Sequence, residues 1–417
     1  MTPREQAQQF LDQLRAHAPG ALGAPQPLPP AVVKDLKDWI DANRHERTTL
    51  FPERAEDPRV RAEMERIADR AAAGDSSGVL HALLAEEQKC IEKALATRVT
   101  VKGKAPDIGG RTLVGFLGRG QVNAASMRVP GADAYLIVFD EQMLLFTHHL
   151  SSALALAAPR SESADSSDGV AFTWDRQDIG GRIKAHPEIA DRFADIVATY
   201  ARTGRVGLGY GGAGDRLPLG YSALAHVLNI SLSYFVLGHE YGHIVLGHPD
   251  MPAPDVMAKT AAAAGIEVPA NFTQAYLWAQ EWDADLLGMK LALTAGINYG
   301  RLDLPTTFMG VGLFFAAMDV MDRAVALLQT GDENASQLGS HPPSDSRRRQ
   351  LREALAKMAD DELAHDARKV EIALELDEAE AETIRLLWER TRPVLADLHR
   401  RGVAAARTWR TIPKETG

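Results

Sequence analysis

The longest uncharged stretch of the chain is the feature that most limits its fold. It runs for 22 residues, from Leu217 to Gly238, and ends directly on His239-Glu240. A run of that length could cross a bilayer. It also carries Ser222, His226, Asn229, Ser231 and Ser233, and such polar groups are costly in hydrocarbon. It therefore predicts a buried core helix, and no membrane association is expected. A second apolar run, Leu304 to Met318, is shorter and predicts another core helix.

Two such helices need a large core to bury them. A chain of 417 residues that is 45% hydrophobic and 24% charged supplies one, which excludes a disordered chain or a fibre. The formal charge of −10 argues against a binder that works by neutralising phosphates, so no nucleic-acid partner is expected. Cys90 is the single cysteine. No intramolecular disulfide can form, and a reducing, cytoplasmic setting is expected. The start, Met1-Thr2-Pro3-Arg4-Glu5, shows no signal-peptide pattern.

Helical periodicity dominates the rest. It predicts helices over 3–16, 30–44, 58–73 and 77–97, then strand-like segments at 111–117, 121–129 and 134–139, with a further short strand at 170–174. Helices follow over 141–157, 186–203, 221–247, 271–295, 306–329 and 344–358, with a helical tail from 360 to 405. The Ser/Asp-rich stretch 159–169 reads as an exposed loop. The expected class is α+β, mainly α. A helical N-terminal region (1–105) precedes a catalytic domain (106–358). That domain holds a small mixed sheet within 111–175, a metal helix at 221–247 and a third-ligand helix at 271–295. A helical extension (359–417) follows.

The chemistry begins where the uncharged run ends. His239-Glu240-Tyr241-Gly242-His243 is an HExxH pattern. On a helix, positions i and i+4 share one face, so both imidazoles can reach one metal ion. Two neutral imidazoles, a carboxylate and an open water position suit Zn²⁺. Glu240, next to the first ligand, can take a proton from a water that the metal acidifies. The pattern is only moderately specific, and a core helix with two satisfied histidines competes. The apolar flanks Tyr234 to Leu237 and Ile244 to Leu246 favour the metal, because unpartnered polar burial is costly.

For the third ligand, His248 lies five residues past His243, but Gly247 and Pro249 suggest a helix end with an exposed or capping His248. Glu281 is the better candidate. Glu281 and Asp285 are four apart on a helix face, so Glu281 can ligate while Asp285 accepts the free N–H of a ligand histidine. Asp283 points elsewhere and is expected to be solvated.

With these motifs in place the chain resembles the gluzincin metallopeptidases, and among them the CAAX prenyl proteases and the HtpX and Oma-type peptidases. HEYGH matches the HExxH helix. Glu281-Trp282-Asp283-Ala284-Asp285 matches their Glu-aromatic-x-Ala-Asp motif, whose Glu is the third zinc ligand. His341-Pro342-Pro343 through Arg347 matches their His-Pro-Pro-x-x-x-Arg motif. The resemblance covers residues 220 to 355. It departs in lacking convincing membrane spans and in leaving the first 200 residues without a counterpart. It implies a zincin-like core, and it implies that His341 and Arg347 wall the active site or stabilise an oxyanion. The plainer alternative makes His341-Pro342-Pro343 a helix-entry turn capped by Ser344, with Arg347 on the solvent side.

Other features carry less. Gly207 to Gly212 fits a GxGxxG pattern, but no strand precedes it, so a flexible loop is expected. Adjacent His148 and His149 cannot face one metal. Cys90 reads as a partly buried thiol, and Arg347-Arg348-Arg349 as part of a solvated face.

The expected function is a zinc endopeptidase acting on a protein or peptide. Regulated cleavage of one partner is expected, with stress or phage defence as one setting. An edge strand within 134–139 or 170–174 would hold the substrate backbone. The alternative is a non-proteolytic zinc protein that keeps the fold for binding.

Overall fold

The computed structural model describes residues 1–17, 76–98, 108–117, 122–160, 172–206, 217, 219–263, 271–335, 341–361 and 366–406. The helices expected over 30–44 and 58–73, the glycine-rich segment 207–212 and most of the 159–169 loop lie outside them.

The described chain is mainly helical, with one small mixed sheet. Helix α1 (Pro3–His17) and helix α2 (Ser76–Arg98) precede strands β1 (Thr112–Leu117), β2 (Ala124–Arg128) and β3 (Tyr135–Asp140). Helices α3 (Glu141–Ala157), α4 (Arg176–Ala185), α5 (Pro187–Thr203) and α6 (Leu219–Val245) follow. Then come α7 (Pro254–Ala263), α8 (Phe272–Asn298), α9 (Leu304–Thr330), α10 (Ser344–Asp361) and α11 (Ala367–Arg400). Asp140 ends β3 and caps α3 by accepting from the Gln142 amide at 2.8 Å. Asp303 caps α9 in the same way.

The sheet order is β1-β3-β2, with β1 parallel and β2 antiparallel to β3. This corrects the expectation that 134–139 is an edge. Every residue of β3 is buried, as a central strand covered on both faces requires. Its side chains alternate: Leu136 and Val138 join Ala7 and Leu11 of α1 in a small outer core, while Ile137 and Phe139 enter the main core. Of 170–174, the described part shows one isolated bridge, Arg160 to Phe172, rather than a strand. The two edges are β1, which packs on α1 and α2, and β2, which packs on α6.

Helix α6, the uncharged run, is the centre of the bundle. It packs against α2, α3, α8, α9 and β2. Among the described residues one helix is long and apolar enough to cross a membrane, Gly220–Val245, and 61% of its most apolar window is buried inside the protein. Phe235 and Leu237 are wholly enclosed, each worth about 1.5–3 kcal/mol of burial. Gly247, in the left-handed region at φ 75°, stops the helix.

The main core draws residues from α2, from the sheet and helices between, and from α11. It runs without a break across the boundaries expected at 105 and 358.

Candidate metal centre

Helices α6 and α8 cross with their backbones in contact. A Cβ on Gly288 would sit 2.7 Å from His239 Cα and from His239 N, and one on Gly238 would sit 2.7 Å from the Gly288 carbonyl oxygen. One turn on, Gly242 faces Ala284. Side chains as small as these are what permit so close a crossing. It sets Glu281 and Asp285 of α8 opposite the histidines of α6.

His239, His243 and Glu281 converge there, their ligand atoms all within 4.8 Å of one another. The two Nε2 atoms are 3.1 Å apart. Glu281 approaches His239 Nε2 through Oε2 at 3.6 Å and His243 Nε2 through Oε1 at 3.5 Å. On the far side of its ring, His239 Nδ1 makes an ion-pair contact with Asp285 Oδ1 at 2.9 Å, while its Nε2 faces the cluster. His243 Nδ1 lies 2.8 Å from His248 Nδ1. This corrects the reading of His248 as an exposed cap: it touches a cluster histidine.

The donor set fits a divalent metal. Two imidazole nitrogens that face each other at 3.1 Å, beside a carboxylate oxygen, are a donor set that could hold a metal ion. Glu281 Oε2 is buried and accepts no well-directed hydrogen bond, although it has an ion-pair contact with Arg347 Nη2 at 3.1 Å.

Arg347 is the second correction. It is only 2% exposed, not on a solvent face. Its Nε and Nη2 each donate to Asp285 at 2.7 Å, and its guanidinium lies 5.1 Å from the centre of the Phe315 ring. Those donors hold two carboxylates, which leaves an oxyanion role without support from the geometry. His341 sits at the cluster, with Nε2 3.5 Å from Glu281 Oε1. Asp283 is exposed.

Charge and burial tune each group. Burial pushes the His243 pKa down, helped by neighbouring His239 and His248, to about 2, so that ring is neutral at ordinary pH. Burial also opposes protonation of His239, but the Asp285, Glu281 and Glu240 carboxylates outweigh it and raise its pKa. Asp285 would be raised by burial, yet Arg347 and then His239 bring it to about 2. Glu240 is buried and its pKa is raised by desolvation.

Sequence reasoning missed one contact. Ser126 of β2 neighbours the Glu240 carboxylate and opposes the rise in its pKa. A lone Ser in a strand carries no signal of that role. Other side chains set the frame: Tyr241 Oη donates to Glu92 of α2 at 2.8 Å, and Glu92 pairs with Arg4 of α1 at 3.1 Å. His148 and His149 sit on α3 apart from the cluster, and Cys90 is buried.

Compared with protein-family models, with curated proteins and with solved structures, the chain matches none.

Proposed function

We propose that the protein is a zinc-dependent endopeptidase with a zincin-like core. The observation that carries this reading is Glu240. It is buried on the metal helix beside a His239-His243-Glu281 cluster that could hold a metal ion. A structural zinc site has no need of a further carboxylate at that position.

His239, His243 and Glu281 would hold Zn²⁺, which supplies Lewis acidity toward a peptide carbonyl and makes a water easier to deprotonate. Glu240 takes the proton of the attacking water and passes it to the leaving amine. Its raised pKa supports both halves of that transfer. Asp285 fixes the tautomer of His239, and Arg347 keeps Asp285 ionised. His341 stands at the cluster, where a donor could meet the developing oxyanion. The substrate backbone would add to β2, whose outer edge brings Ser126 to Glu240.

The test is Glu240→Gln in the full chain, with bound metal measured alongside cleavage of a peptide library. The variant should retain stoichiometric metal and lose cleavage by at least about 100-fold. Undiminished cleavage would defeat the mechanism. Stoichiometric metal with no cleavage by the wild type would favour the non-proteolytic zinc protein.

A further inference from the structure

We infer that His248 is a fourth side chain of the metal centre: a positioning residue that accepts the Nδ1–H of His243 and so aims that ring's Nε2 at the metal position. The inference rests on the metal reading above but not on peptidase activity.

The two nitrogens of His243 have separate tasks. Nε2 faces the cluster, 3.1 Å from His239 Nε2 and 3.5 Å from Glu281 Oε1. Nδ1 faces away, 2.8 Å from His248 Nδ1, with the two rings inclined at 69°. A neutral imidazole has one N–H and one lone pair. If the Nε2 lone pair serves a metal, the proton must sit on Nδ1, and the contact has a single direction. His243 donates and His248 accepts, so His248 carries its own proton on Nε2. The arrangement parallels the Asp285 contact to His239 Nδ1 at 2.9 Å. Each cluster imidazole then has its own neighbour at Nδ1, a carboxylate for one and an imidazole for the other.

The chain holds His248 in place rather than leaving it as a loose helix end. Gly247 turns the backbone out of α6, and His248, Pro249 and Asp250 form one 3-10 turn. Asp250 closes that turn with a backbone bond to Gly247 at 3.0 Å. Its carboxylate accepts from Arg128 Nη1 of β2 at 2.5 Å and from Tyr135 Oη of β3 at 2.9 Å. The sheet therefore grips the turn two residues from His248. Partners of this kind typically change metal affinity by 10–100-fold when removed.

The experiment measures Zn²⁺ affinity by chelator competition on the full chain for wild type, His248→Ala and His248→Asn. Metal-free circular dichroism establishes that each variant folds. Asn places an amide oxygen close to where Nδ1 of the imidazole stood and can accept the same bond. The alanine variant should bind zinc about 10–100-fold more weakly, and the asparagine variant should stay within a few-fold of wild type. The Co²⁺-loaded alanine variant should show a shifted ligand-field spectrum. Unchanged affinity in His248→Ala would overturn the assignment. So would an Asn variant as weak as the Ala variant, since that ranking marks lost packing rather than a lost acceptor. A wild type that binds no metal overturns this inference together with the metal reading. The expected ranking in a protein that cleaves nothing upholds it and removes the peptidase alone.

Discussion

Arg347 has the setting that its local sequence conceals most. It opens Arg347-Arg348-Arg349 and is enclosed by Asp285, Glu281 and Phe315. Two buried carboxylates on one helix face repel each other, and the proposed site needs Asp285 ionised beside His239. A planar cation with two parallel donors achieves that, which a point charge on a flexible stem does not. Arg347→Lys should therefore weaken zinc binding about 10-fold or more. Arg347→Met leaves Asp285 buried without its cation and should cost about 3–5 kcal/mol of metal-free stability. Urea unfolding and chelator competition read the two effects separately. Lysine behaving as wild type in both would show that the fork geometry is incidental.

At the scale of elements, the decisive feature is the α6–α8 crossing. Gly288 lies mid-helix, where replacement by Ala ordinarily stabilises by about 1 kcal/mol through helix propensity. Here the added methyl would meet His239 backbone atoms at 2.7 Å, and overpacking of that kind costs about 1–3 kcal/mol. The opposed signs make Gly288→Ala a sharp test. It should lower the melting temperature and also weaken zinc binding, because pushing α8 away carries Glu281 with it. A stabilised variant with intact affinity would show that the helices have room. The contrast explains what could be read in advance. The HExxH spacing and the Glu281–Asp285 pair are local, set by the repeat of a single helix, so both were legible. The glycine stripe, the place of Ser126 and the Arg347 fork on Asp285 depend on what another element presents; the His341–Arg347 motif implied only that Arg347 lies at the site. The central place of β3 was misread as an edge, although Tyr135 to Phe139 is apolar throughout rather than alternating, the mark of a strand covered twice. Helices α4 and α7 were missed for another reason. They are short, and among their residues only Ile179 and Ile183 of α4 are buried, so neither projects a clear apolar stripe.

Across the whole molecule, α10 joins the candidate metal centre to the C-terminal helix. Arg347 reaches inward to Asp285, while Arg348, next along the chain, reaches α11. Its Nε donates to Asp377 at 2.9 Å, and Arg352 pairs with the same carboxylate. Glu380 is fully buried beside them, its pKa pushed well up by desolvation. The group fits over α9 because Gly312 has no side chain: a Cβ there would sit 2.4 Å from Asp377 Oδ1. If α11 were an appended extension, removing this link would release it alone. The continuous core argues otherwise, since Leu387, Trp388 and Leu395 of α11 belong to the same cluster as Phe235 and Leu237 of α6. Asp377→Ala should therefore lower the stability of the whole chain by about 3 kcal/mol, the lower end for breaking a buried pair because Arg352 remains partly solvated. Far-ultraviolet and tryptophan signals should fall together in one transition. Zinc should raise the midpoint of the variant by about as much as it raises that of the wild type, because its ligands are untouched and the stabilisation follows mass action. A separate early transition confined to the helical signal would instead mark α11 as an independent unit and divide the core near residue 360.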